Sequence, residues 1–281
     1  VDLIQAAVLG IAQGLTEFLP VSSTAHLRLI PALAGWPDPG APFTAAVQLG
    51  TTAAVLGYFR HDLGRIVAGW ARGIRSRDAR TRPEWGQGWA VVAGTVPIVV
   101  VGLLAKGWIE RDLRSLTVVG STLVVLGLVM LVAERVAAKT RPIGSATVRD
   151  GLWIGLWQAL AVVPGASRSG STISGALLAG FDRAAAARLS FLLSVPAIVA
   201  AAAYSLADHA GELVGGPLAV PLLVANLCAL ASGWWAIAVL MRVMQTKGLW
   251  PFVAYRVVLG LAILWLVASG RMDAFVGMEG R

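Results

Sequence analysis

Six stretches of the chain run apolar for close to the length of a bilayer crossing, near 43–59, 86–104, 116–132, 187–206, 218–240 and 252–268. Twice more, over about 1–34 and 151–180, such a run begins and is broken halfway by a polar stretch. A helix needs about 20 apolar residues to cross the hydrocarbon core, so a half-length run cannot cross alone. The natural form for each broken run is a re-entrant helical hairpin, tolerated where its irregular backbone is buried in protein or lines a wet cavity. With 57% hydrophobic and 14% charged residues, the 281-residue chain leaves no room for a separate aqueous core. The expectation is an all-α integral membrane protein, one transmembrane domain over 1–281, with about six transmembrane helices and two re-entrant hairpins.

The second polar break, Pro164-Gly165-Ala166-Ser167-Arg168-Ser169-Gly170-Ser171-Thr172, reads as a phosphate cradle. Pro164 is expected to end the preceding helix. Gly165 and Gly170 let backbone come close to a ligand. A cap from Ser169, Ser171 or Thr172 would aim free N–H groups at the same point as Arg168. The spacing imitates a P-loop, but a P-loop follows a strand, and 151–163 is rich in Trp, Leu and Ala and looks helical.

The first break begins at Pro20, where Val21-Ser22-Ser23-Thr24 supplies caps for a short helix over about 24–33. A broken hairpin followed by three spans occurs twice, and Gly10-Ile11-Ala12-Gln13 resembles Gly155-Leu156-Trp157-Gln158. Pro20-Val21-Ser22-Ser23 likewise resembles Pro164-Gly165-Ala166-Ser167. Three spans between hairpins turn the second half upside down, an inverted-topology repeat with halves near 1–134 and 151–270 and a cytoplasmic linker over 135–150. The polar tips of the hairpins then meet near the midplane.

A net charge of +8 suggests nucleic acid, but the arginines cluster between apolar spans and form no nucleic-acid motif. They read as topology signals that place a loop over 60–82 and the linker with Arg135, Lys139, Arg141 and Arg149 in the cytoplasm, and 106–114 outside. Trp36, Trp85, Trp89, Trp108, Trp153 and Trp250 lie near span ends, as an interfacial belt requires. Cys228 alone cannot form a disulfide or thiolate metal site within the chain. His61 and His209 are read as solvated loop residues, and no charged-then-apolar signal peptide precedes the first hairpin.

Glu17 within an apolar helix is costly if charged and unpaired, so it reads as functional, with Gln13 one turn away on the same face. Arg168 is its natural partner at rest and a phosphate ligand when substrate arrives. His26 lies three residues after Ser23 and four after Ser22, within helical reach of either hydroxyl, a possible nucleophile and base. Gln158 is read as satisfying backbone at its break.

The segments from Gln13 to His26 and from Pro164 to Thr172, in this order and spacing, together resemble the two signature regions of the bacterial undecaprenyl-pyrophosphate phosphatases, the bacitracin-resistance family. The resemblance covers essentially the whole chain. It implies hydrolysis of undecaprenyl pyrophosphate to undecaprenyl phosphate and inorganic phosphate in the bacterial inner membrane, with a site open to the outer side. It also implies a divalent cation, Mg2+ or Ca2+, held by Glu17 and Gln13. The family carries Glu or Gln at that first position, and Gln13 offers a cation oxygen with less charge. By the same resemblance Ser23, His26, Glu17 and Arg168 are catalytic. Ser22, Gly165, Ser167, Ser169, Gly170, Ser171 and Thr172 bind substrate. Membrane lipid is the other expected partner, nucleic acid is not, and a homodimer is left open. The competing class is a transporter or flippase for a lipid carrier, since inverted repeats with broken helices are common in transporters. Such a carrier needs a cradle but no nucleophile.

Overall fold

The structure, a computed structural model, describes residues 1–104, 113–208 and 216–276. Among these, eleven α-helices and three short 3-10 turns account for the regular structure. Most of the segment 106–114, with Trp108, and His209 lie outside the described residues.

The first hairpin is α1 (Leu3–Phe18) and α2 (Ser23–Ala34). Asp2 and Gln5 form a capping box at the start of α1, and Gly35 ends α2 at a φ of 67°. Then follow α3 (Gly40–Tyr58), α4 (Arg60–Arg75), α5 (Pro83–Leu104) and α6 (Leu116–Val136). The second hairpin is α7 (Val148–Ala159) and α8 (Arg168–Leu178), and the chain closes with α9 (Arg183–Asp208), α10 (Ala219–Thr246) and α11 (Trp250–Ala268). Helices α5, α6, α9, α10 and α11 are long and apolar enough to cross a membrane, and the expected span 43–59 forms the 19-residue α3. This is an all-α, multi-pass membrane protein.

Two expectations shift. The arginine-rich stretch read as a loop folds in large part into α4, followed by the 3-10 turn Asp78–Thr81. Its apolar positions recur with helical period despite the arginines, and Ile66, Gly69 and Gly73 are buried. Helix α7 ends at Ala159, and the 3-10 turn Leu160–Val162 follows before Pro164 is reached. The proline therefore sits beyond the helix end rather than making it.

Each hairpin is clamped to a long helix by small residues. A Cβ on Gly10 would stand 2.2 Å from Ala225 O, and one on Gly14 2.5 Å from Ala229 O, so α1 lies backbone to backbone on α10. The same pattern joins α7 to α5, where a Cβ on Gly151 would meet Ala90 O at 2.2 Å and one on Gly155 would meet Gly94 O at 2.5 Å. Helices α3 and α9 pack between these pairs, with Phe18 edge-on to Phe191 at 5.6 Å. Helix α11 packs along α6.

The breaks share a backbone turn. Ser22 holds φ 73° and ψ 98°, and Ser167 holds φ 67° and ψ 113°. Each is the N-cap of its short helix, its hydroxyl accepting from Ala25 N or from Gly170 N. A serine at positive φ is strained and persists only where its surroundings fix it. Ser22 and Ser167 are 145 residues apart, as are Gln13 and Gln158. The matching of Ser23 with Ser167 expected from local sequence is therefore one residue out of register, because Pro20 and Pro164 do not occupy equivalent places.

Candidate active site

Glu17 is the hub where the two breaks meet. One of its oxygens, Oε1, is bonded by the Arg168 guanidinium from the other hairpin. The other, Oε2, accepts from Ser23 Oγ at 2.6 Å and from Gln13 Nε2 at 2.9 Å. Gln13 reaches it from one turn earlier on α1, while Ser23 reaches it because the first side chain of α2 leans back toward that helix's N-terminus. Glu17 as a whole is 8% exposed, and a buried charge is tolerated only with such a full set of donors.

The tips are stitched together around this hub. Gly165 N donates to Thr24 Oγ1 at 3.3 Å, and Ser169 Oγ donates to Leu19 O at 3.1 Å. Arg168 also donates to Ser194 O on α9. Arg256 of α11, wholly buried, donates to Gly165 O at 2.9 Å and spans weaker contacts to Pro20 O, Thr122 O and Leu123 O. It is thus bonded to both breaks and to α6. Sequence reasoning missed it, although a lone arginine inside an apolar span is itself a signal.

The expected Ser23 and His26 pair does not form. His26 Nδ1 donates to Ser22 O at 2.7 Å, which leaves Nε2 to accept from the Tyr255 hydroxyl at 2.6 Å. The imidazole and phenol rings lie 8° from parallel. With its one lone pair engaged by Tyr255, the ring has none to take the Ser23 proton. Helical spacing brought His26 near the serines, but the turn at Ser22 aims Ser23 the other way.

The remaining cradle residues divide. Ser22 and Ser167 cap helices, Ser169 bridges the breaks, and Thr172 Oγ1 bonds Arg168 O and Ser190 Oγ inside the protein. Ser171 Oγ is buried without a hydrogen-bond partner. Gly165, at φ 91°, faces Val119 O, and Gly170 faces Met130 Sδ, so both glycines admit α6 to the hairpin. Gln158 Nε2 donates to Gly94 O inside α5, so it serves backbone of the clamping helix rather than of its own break.

For a cation, the described residues hold no group of three or more His, Cys, Asp or Glu suited to a metal. Gln13 Oε1 is nevertheless buried with no hydrogen-bond partner, on the amide whose nitrogen donates to the Glu17 carboxylate. That pair of oxygens fits a hard cation that brings most of its ligands with it, as phosphate oxygens and water.

The family profile described as "Bacitracin resistance protein BacA" matches residues 6–262. The chain belongs to the BacA family. Among curated BacA-like relatives, the undecaprenyl-diphosphatase of Myxococcus xanthus is 48% identical over 99% of this chain and 93% of its own length. That of Nocardioides sp. is 47% identical over 98% of this chain and 100% of its own. Undecaprenyl-diphosphatase 2 of Streptomyces coelicolor is 45% identical over 98% of each. Both parts of the BacA site described above, at Glu17 and at Arg168, fall inside the matched region.

Proposed function

We propose that this BacA-family chain is an undecaprenyl-diphosphatase, hydrolysing undecaprenyl pyrophosphate to undecaprenyl phosphate and inorganic phosphate. The observation that carries the mechanism is the continuous contact from Ser23 through Glu17 to Arg168 across the two hairpins. Glu17 takes the Ser23 proton as the oxygen attacks the terminal phosphorus, and the P–O bond to the bridging oxygen breaks with undecaprenyl phosphate leaving. A protonated Glu17 holds a guanidinium less strongly, so the same transfer frees Arg168 to pair with the phosphoryl oxygens. Glu17 passes that proton to the departing phosphate and, a carboxylate again, takes one from the water that cleaves the phosphoserine, returning it to Ser23 as phosphate is released. His26, bonded to Ser22 O and Tyr255, orients the break. A bound Mg2+ or Ca2+, held by Gln13 Oε1 and Glu17, would supply positive charge to the diphosphate oxygens.

We further place the segment 60–82 in the cytoplasm on its arginine content and read the two hairpins as entering from opposite faces of the bacterial inner membrane, with the site opening outward. Their like caps and like small-residue clamps support this reading. The decisive experiment is phosphate release from a prenyl pyrophosphate by purified protein, with and without chelator. Substrate binding without phosphate release from the intact chain would favour a lipid carrier instead.

A further inference from the structure

Helix α4 carries three faces rather than two. Ile66, Gly69 and Gly73 are buried against the protein, where Gly69 packs on Glu84 and Gly73 on Trp85 at the start of α5. Val67 and Ile74, one face further round, are 59% and 57% exposed. Arg65, Arg72 and Arg75 occupy the third face, all exposed. A helix with an open apolar strip beside a row of arginines suits the boundary between acyl chains and headgroups, with the apolar strip sunk in lipid. Its position agrees, because the chain runs from it through the short turn Asp78–Thr81 straight into the membrane-spanning α5.

Between the end of α4 and that turn lies an open groove of about 760 Å³, lined by Arg72, Arg75, Asp78 and Arg82 with Ala71 and Ile74 as an apolar wall. Arg72 Nε is spent on Ala68 O, and Arg65, two turns earlier on α4, is paired with Asp62. No hydrogen bond or ion pair of the described residues engages the side chains of Arg75 and Arg82 or the Asp78 carboxylate. Three guanidinium groups against one carboxylate, next to an exposed isoleucine, match a phosphate that carries a hydrocarbon tail.

We propose that this groove is a binding site for the headgroup of an anionic phospholipid, with the first part of its acyl chains lying along Ile74 and Val67. Each arginine held close to an anionic leaflet is worth on the order of fivefold in binding. The site is separate from Glu17 and Arg168 and takes no part in hydrolysis. It would anchor α4 at the surface and so steady the entry of α5, to which α7 of the second hairpin is clamped through Gly151 and Gly155.

The test uses the purified full chain in detergent and short-chain phosphatidylglycerol as probe, with retained lipid counted by native mass spectrometry. Phosphatidylglycerol is expected to bind at least about tenfold more tightly than phosphatidylcholine. The advantage should fall by roughly that factor in Arg72→Gln/Arg75→Gln/Arg82→Gln and persist in Arg149→Gln, while turnover in detergent is unchanged in both, showing that the fold survives. Ile74→Ser should weaken the lipid, and inorganic phosphate at equal concentration should not displace it. Equal binding of the two lipids, undiminished phosphatidylglycerol binding in the triple variant, or full displacement by inorganic phosphate would each overturn the proposal.

Discussion

Ser23 donates its hydroxyl hydrogen to Glu17 across 2.6 Å, and the other oxygen of the same carboxylate is held by Arg168. In the proposed mechanism one carboxylate therefore couples the attacking oxygen in the first hairpin to the guanidinium in the second. Protonation at one oxygen is felt at the other, because a neutral carboxyl loses most of its attraction for the guanidinium.

This coupling ranks the residues. Ser23→Ala and Glu17→Gln are each expected to lower phosphate release by at least about a hundredfold, the ordinary range for losing a nucleophile or its base. His26→Gln, which touches neither Ser23 nor Glu17, should lose less than either. Phosphate-release rates with a prenyl pyrophosphate decide the order, and a His26 variant slower than Glu17→Gln would return the imidazole to the role of base.

Arg168→Lys keeps a positive charge but not the planar fork that spans two phosphate oxygens. The expected loss is at least about tenfold in turnover, on the order of 1.4 kcal/mol of transition-state stabilisation. A kcat close to that of the parent would show that a point charge suffices there.

Arg256 is wholly buried and its firmest bond is to Gly165 O at 2.9 Å. Arg256→Leu leaves that carbonyl and Pro20 O without the donor that joins them, at about 1–3 kcal/mol for each buried group left unsatisfied. A lower unfolding midpoint in detergent is expected, together with a drop in kcat, since both breaks lose a common tie. Unchanged melting by differential scanning fluorimetry would mean the breaks hold themselves in place.

Asp38, in the turn between α2 and α3, makes stability depend on pH. Burial pushes its carboxyl up, but the Arg114 guanidinium at 2.7 Å, the Gly40 N–H and Arg28 together hold it below its ordinary value of 3.8. A folded pKa below the unfolded one contributes stability above the unfolded value and loses it as pH falls through the folded value. Asp38→Asn should therefore melt lower than the parent near neutral pH, with the gap closing below about pH 4. Melting curves of the two proteins across that range measure the gap, and one constant with pH would exclude Asp38.

Much of the site was legible because ionisable residues are scarce in apolar runs. Glu17 and Arg168 were each unaffordable alone in lipid, and that alone paired them. Arg256 carried the same signal, but only Tyr255 beside it is polar and no motif surrounds it; its acceptors are backbone carbonyls, which no residue name reveals. The His26 misreading has another source. Spacing along a helix shows which side chains are neighbours, but the direction of Ser23 is set by the left-handed turn at Ser22, which the letters do not encode. In α4 the density of arginine masked a helical period that Ile66, Gly69 and Gly73 obey.

The paired turns at Ser22 and Ser167 have a last consequence. The residue after each is the first of a short helix: Ser23 in one case, Arg168 in the other. Each follows a cap of the same backbone form, 145 residues apart. Where identical turns meet end to end, perfect likeness would set two hydroxyls or two cations against each other, and neither pair could cleave a phosphate anhydride. A single unlike residue at that position, with Glu17 on one side where Val162 stands on the other, sets a hydroxyl against a guanidinium across one carboxylate. On the proposed mechanism, the chemistry resides in the place where the two breaks stop matching.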